Sequence, residues 1–183
     1  MAYLTRKSAI HKAREYLATR PVFLDTETTG LDPAAEIIEI CVMDHSGAIL
    51  VDTLVKPVRP IPIDATLIHG ITNQMVQMAP SWPDVWPLVQ SAILGRYIGI
   101  YNADFDLRMV KQTHLYHRIA WDFPSQRVFD VMKIYSEYLG NSRWVSLDVA
   151  GRQSGISLPN SHRARADTDL LRTLFLHLAS RIP

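Results

Sequence analysis

A short apolar run that ends in two carboxylates constrains this chain more than any other stretch: Phe23-Leu24-Asp25-Thr26-Glu27-Thr28-Thr29-Gly30, entered through Pro21-Val22. Val22, Phe23 and Leu24 read as a buried strand bounded by Pro21 and Gly30. Side chains alternate across a strand, so Asp25 and Glu27 leave the same face, roughly 7 Å apart at about 3.3 Å rise per residue. Two unpaired anions at the end of a hydrophobic strand are costly to desolvate and repel each other. A hard divalent cation between them removes both penalties, and oxygen ligands of this kind suit Mg²⁺ or Mn²⁺. The alternative is a solvated turn in which both acids face water. The run alone leaves the two readings open.

The rest of the chain has to supply a core for that strand. At 183 residues it is long enough for one well-cored domain. With 48% hydrophobic and 20% charged residues it is ordinary for a globular protein, which excludes wholesale disorder. A formal charge of +1 gives no bulk signature of nucleic-acid binding, so any basic surface has to be local. The one cysteine, Cys41, lies in the apolar run Ile37 to Met43, has no partner for an intrachain disulfide, and is expected in the core. No stretch approaches the roughly 20 apolar residues of a membrane span, and the basic N-terminus leads into no signal-peptide core. A cytoplasmic, reducing setting is the expectation.

Periodicity divides the chain into a helical extension over residues 1–20 and a single domain over 21–183. In the extension, Ile10, Ala13, Tyr16 and Leu17 fall at helical spacing, with Arg6, Lys7, Lys12 and Arg14 towards the opposite side. This predicts a helix packed on the domain with a solvated charged face. Apolar runs at Ile37 to Met43 and Ala48 to Val55 are joined by Asp44-His45-Ser46-Gly47, which suits a tight turn. With residues 22–27 they predict a three-stranded meander. Lys56-Pro57 and Pro60-Ile61-Pro62 end it, since proline cannot donate to a ladder.

Helices and strands alternate from there. Helices are expected over Asp84 to Leu94, Asp104 to Arg118, Val131 to Tyr138, Leu147 to Gly155 and a last one through Leu178, with strands at Tyr97 to Tyr101 and Arg127 to Phe129. The fold class is α/β: a mixed β-sheet in which an antiparallel three-strand meander is extended by parallel strands, flanked by α-helices.

Two more acidic stretches fall at junctions in this plan. Tyr101-Asn102-Ala103-Asp104-Phe105-Asp106 follows a strand directly, and sites in open α/β sheets gather outside the carboxyl ends of strands. Asp106 shares a helical face with Val110 and points towards the sheet; Asp104 is left to complement the helix dipole. The third, His162-Arg163-Ala164-Arg165-Ala166-Asp167, opens the terminal helix. Asp167 lies on the apolar stripe of Leu171, Leu174 and Leu178, whereas Asp169 falls away from it. His162, five positions before Asp167, can face the same site only from a loop, for which Pro159-Asn160-Ser161 is the lead-in. Four carboxylates and one histidine at strand ends and helix starts match two-metal phosphodiester hydrolysis, where a histidine takes a proton from the attacking water. No Walker loop, paired cysteines or Gly-x-Ser-x-Gly elbow competes.

These three stretches, in this order, resemble the motifs of the DnaQ-like DEDDh 3′→5′ exonucleases, which include the proofreading epsilon subunit of bacterial DNA polymerase III. The resemblance runs from about Pro21 to Ser180 and implies a ribonuclease H-like fold. It implies that Asp25 bridges two divalent cations, that Glu27 and Asp167 hold the one activating the water, that Asp106 supports the other, and that His162 is the general base. Ile68-His69-Gly70-Ile71-Thr72 resembles the segment that touches the terminal nucleotide, so Ile68 and His69, with Thr28, Gly30 and Leu31, are the implied substrate contacts. Asp130 resembles an acid near the site in many members; capping the helix after Phe129 is its alternative role. The chain departs from the family at Tyr101, where many members carry histidine. The implied substrate is the 3′ end of DNA, with RNA or a non-catalytic binding module as alternatives, and the implied partner is a polymerase or another nucleic-acid enzyme. Trp82, Trp86, Trp121 and Trp144 are expected to pack rather than stack on bases, and Arg163 and Arg165 either contact phosphates or form a solvated face.

Overall fold

Val22–Thr28 forms β1, and its alternation sets the layout of the whole molecule. Val22 and Leu24 enter one core, with Trp82, Val85, Trp86 and Val89 of a helix over Trp82–Ile93 and Met109 and Val110 of one over Ala103–Tyr116. Phe23 points the other way, into a core with Leu171, Leu174, Phe175 and Leu178 of the helix Ala164–Ser180. Asp25 and Glu27 continue the Phe23 side, so they emerge under that last helix. The computed structural model describes residues 2–140, 144–156 and 162–182.

The other strands are β2 (Ile37–Asp44), β3 (Ile49–Leu54), β4 (Ile98–Ile100) and β5 (Val128–Asp130). They form one mixed sheet in the order β3-β2-β1-β4-β5, with β1 antiparallel to β2 and parallel to β4. The expected meander and its parallel extension are both present. At the β2–β3 turn, Asp44 Oδ1 accepts the N–H groups of Ser46 and Ala48 at 2.8 and 3.0 Å, and Gly47 takes a left-handed φ of +97°. Cys41 is buried on β2, which lifts its thiol to about 12. Gly99 of β4 stands in register between Phe23 and Phe129. A Cβ there would come within 2.8 Å of both rings, so the close approach of the two phenylalanines requires glycine.

Helices in chain order are α1 (Ala2–Ala18), α2 (Ile63–His69), α3 (Asn73–Val76), α4 (Trp82–Ile93), α5 (Ala103–Tyr116), α6 (Val131–Leu139), α7 (Leu147–Gln153) and α8 (Ala164–Ser180). α1 buries Ala9, Ile10 and Ala13 completely and lies against α6 and α8. Its cations are tied at their tips to the same neighbours: Lys12 to Glu137 at 2.7 Å, Arg6 to the Tyr138 hydroxyl at 2.6 Å, and Arg14 to the Ala179 carbonyl at 2.9 Å. Full burial of Leu171 and Leu174 on α8 contributes roughly 1.5–3 kcal/mol each, which presses the helix carrying Asp167 onto the sheet.

The segment after β3, to which periodicity assigns no helix, contains α2 and α3. Pro62 stands at the N-cap of α2 and Gly70 ends it in a left-handed conformation, so these residues punctuate a helix rather than a loop. The tryptophans pack as expected at three positions. Trp82 and Trp86 are buried against His114, Trp86 donates to Asp122 at 3.0 Å, and Trp121 stacks on Phe123. Trp144 is 63% exposed.

Candidate active site

β1, α5 and α8 converge at the carboxyl ends of β1 and β4. One carboxylate oxygen from each of Asp25, Glu27 and Asp167 lies within 4.8 Å of the others. Strand alternation places the first two, and the first turn of α8 lowers Asp167 onto them. Asp106 arrives from the opposite face of the sheet, at the start of α5. It is buried and accepts a hydrogen bond from the Thr26 hydroxyl at 2.7 Å, Thr26 being the residue of β1 that points away from Asp25 and Glu27. Asp104 is exposed and pairs with Lys133 at 3.1 Å, so the two acids of this turn divide as the helical face predicts.

Crowding these acids together moves their proton affinities. Burial, then the charges of Asp106, Asp167 and Glu27, raises Asp25 well above the ordinary carboxylate range. Burial and the charges of Asp167, Glu39 and Asp106 lift Glu27 from 4.5 to about 8. Burial lifts Asp106 to about 7 against the opposing hydrogen bond from Thr26. Asp167 is raised by burial as well, partly offset by the backbone N–H of His162. Three acids within 4.8 Å, with Asp106 buried beside the same strand, repel one another when ionised, and their all-oxygen donor set fits a hard divalent cation.

His162 precedes α8 with a left-handed φ of +68°, and its backbone N–H donates to Asp167 Oδ2 at 3.1 Å. The imidazole is exposed. The lead-in expected over Pro159-Asn160-Ser161 lies outside the described residues. A groove of about 1080 Å³ opens between α2, the β2–β3 hairpin and the start of α8, with Ile68, His69 and His162 in its wall. Ile68 in that wall and Leu31 after β1 are both exposed, at 62% and 75%. His69 is buried, and burial lowers its pKa. Its Nδ1 accepts the Ile71 N–H at 3.0 Å, which leaves the proton of the neutral ring on Nε2. The Thr28 hydroxyl donates to the Gly30 carbonyl at 2.8 Å and shapes the turn after β1.

Two residues here, Glu39 and Thr26, have roles that the sequence does not assign, and a third, Asp130, takes the second of its two expected roles. Glu39 of β2 is buried directly opposite Glu27 and grips Arg163 through both oxygens, which accounts for Arg163; Arg165 pairs with Asp52 at 3.4 Å. A lone acid at Glu39, inside the apolar run Ile37 to Met43, was its signal. Thr26 was hidden because a threonine in a strand is ordinary. Asp130 takes the capping alternative: its carboxylate accepts the N–H groups of Met132 and Lys133 at the start of α6 and of Asn102 and Ala103 at the start of α5.

Comparison with known proteins places this arrangement. The exonuclease family model RNase_T matches residues 22–175. A protein of Escherichia phage 186 named an uncharacterized exonuclease is 40% identical over 175 residues, covering 90% of each chain. A DNA polymerase III subunit epsilon-like protein of Rhodobacter capsulatus is 34% identical over 166 residues; the match takes in 86% of this chain but only 23% of that protein. Among solved structures, exonuclease X in complex with 5′-overhanging duplex DNA superposes with a TM-score of 0.64 at 26% identity, covering 86% of this chain and 89% of that one. With its ribonuclease H-like sheet and its cluster of acids at the ends of β1 and β4, the chain belongs to the DnaQ-like DEDDh exonuclease family.

Proposed function

We propose that this exonuclease removes nucleotides from the 3′ end of single-stranded or frayed DNA as 5′-mononucleotides. The observation that carries the reading is the packing of Asp25, Glu27 and Asp167 within 4.8 Å, with Asp106 held against the same strand end by Thr26. Asp25, Glu27, Asp106 and Asp167 would hold two divalent cations, Mg²⁺ or Mn²⁺, which would supply the positive charge needed at the attacking and leaving oxygens. His162 takes the proton of the attacking water as general base, from a backbone that Asp167 restrains. Leu31 and Ile68 offer exposed apolar surface to the terminal base and sugar, and His69, whose ring is buried, packs behind Ile68 in the groove wall. Thr28 and Gly30, joined by a hydrogen bond in the turn after β1, are the remaining substrate contacts in this reading.

DNA is favoured over RNA because Asp25-Thr-Glu-Thr-Thr-Gly resembles the proofreading branch and because exonuclease X was captured on duplex DNA. A polymerase is the proposed partner, in line with the name of the Rhodobacter relative. No described helix is long and apolar enough to cross a membrane. The test uses 5′-labelled and 3′-labelled DNA and RNA oligonucleotides with Mg²⁺ or Mn²⁺. Wild type should shorten 5′-labelled DNA stepwise from its 3′ end and release a labelled mononucleotide from the 3′-labelled strand. Asp25→Ala should lose that activity and His162→Ala should keep only a small measurable residue of it, about 10²–10⁴-fold below wild type; undiminished hydrolysis by Asp25→Ala refutes the mechanism.

A further inference from the structure

Glu39 is buried on β2 directly opposite Glu27, its side chain only 4% exposed. Like charges facing each other across a strand pair are unfavourable, so Glu39 needs strong donors on its other side. Arg163 Nε reaches its two oxygens at 3.1 and 3.0 Å, Arg163 Nη2 donates to Oε1, and the Ala164 N–H donates to Oε2 at 2.9 Å. Ala164 is the first residue of α8, whose opening N–H groups have no acceptor within the helix, and Arg163 at the N-cap provides no side-chain cap of its own. A carboxylate on a neighbouring strand therefore caps the helix that carries Asp167. The guanidinium fork sets the direction in which the chain enters it.

His162 stands one residue before this contact. Its left-handed φ of +68° is unfavourable for a side chain with a Cβ and persists only where the surroundings impose it. Two restraints impose it here. Asp167 accepts the His162 N–H, and Glu39 holds the next two residues through Arg163 and Ala164. Between them the imidazole is left exposed in the groove wall.

We propose that Glu39 and Arg163 are a positioning pair for the reaction, fixing the His162 backbone so that its imidazole meets the attacking water at the strand end. The inference rests on the reading of His162 as the general base. Arg163→Ala would leave Glu39 buried without a counter-charge and risks unfolding the protein. The test variants are Arg163→Lys, which keeps the charge and loses the fork, and Glu39→Gln, which keeps the shape and loses the charge. Steady-state hydrolysis of a labelled single-stranded oligonucleotide is measured for each, alone and combined with His162→Ala, alongside thermal unfolding.

Arg163→Lys should fold and lower kcat roughly tenfold to a hundredfold, the scale of a small misplacement of a reacting group. KM and the Mg²⁺ concentration for half activity should stay within about twofold. In the His162→Ala background the same change should add less than about twofold, because the histidine it positions is gone. Wild-type kcat in both folded variants, or an equal loss with and without His162, overturns the positioning role. If Asp25→Ala is inactive while Arg163→Lys and Glu39→Gln match wild type, only this inference falls; if wild type itself does not hydrolyse DNA or RNA, the nuclease reading falls with it.

Discussion

Replacing Glu27 with glutamine should make the metal-free protein more stable at alkaline pH while abolishing hydrolysis. Glu27 is lifted on folding from 4.5 to about 8, so between those values the native state holds a proton that the unfolded chain has released. Stability therefore falls as pH rises through this window, and it is highest below about 4.5, where both states are protonated. The full displacement corresponds to roughly 4–5 kcal/mol at 1.36 kcal/mol per tenfold change in proton affinity. Glu27 is only partly buried, so solvent screening leaves about 1–2 kcal/mol. Glutamine has nearly the same shape and no charge at any pH. For a protein of 183 residues, about 2–4 °C accompanies each kcal/mol, giving a rise in Tm of roughly 2–8 °C.

The assay is thermal unfolding of both proteins in chelator at about pH 5 and about pH 8.5, repeated at the higher pH with Mg²⁺ or Mn²⁺. The gap should be small in acid, open in alkali, and narrow again when the cation stabilises wild type by mass action. A variant less stable than wild type in alkaline chelator refutes the reasoning. So does a gap of equal size at both pH values.

Thr26→Val removes the hydroxyl that orients the buried Asp106 and should raise the Mg²⁺ concentration for half-maximal hydrolysis by about 10–100-fold, at a cost of about 1–3 kcal/mol in stability; an unchanged Mg²⁺ titration refutes the role. Gly99→Ala drives a methyl group into the Phe23 and Phe129 rings and should cost about 1–3 kcal/mol by chemical denaturation, whereas a neutral result would mean the two strands separate freely. Asp130→Ala strips caps from two helices at once and should lower stability by about 1–3 kcal/mol. It should also speed hydrogen exchange at the starts of both α5 and α6, and protection lost from one helix alone counts against the shared cap.

What could be read from the sequence was whatever local chemistry controls. The alternation of Val22, Phe23 and Leu24 fixes where Asp25 and Glu27 point, and the stripe through Leu171, Leu174 and Leu178 fixes where Asp167 points, so three members of the cluster follow from periodicity. Asp106 was separable from Asp104 by the helical face it shares with Val110. Supporting residues were harder because their roles lie in partners distant along the chain. Glu39 meets Arg163 across the fold, Thr26 meets Asp106, and Asp130 reaches back to Asn102 and Ala103. The helices over Ile63–His69 and Asn73–Val76 escaped because prolines nearby masked their short apolar faces, although Pro62 and Gly70 are ordinary helix boundaries.

The junction of β1 with α8 has a consequence for the lifetime of the folded state. Asp25 and Glu27 lie near the start of the chain and Asp167 near its end, so their repulsion is felt only when elements far apart in sequence close on each other. Contacts made after the folding barrier weigh on the unfolding rate and leave the folding rate nearly untouched. A bound cation should therefore act as a latch, lengthening the time before the molecule opens without hastening its assembly.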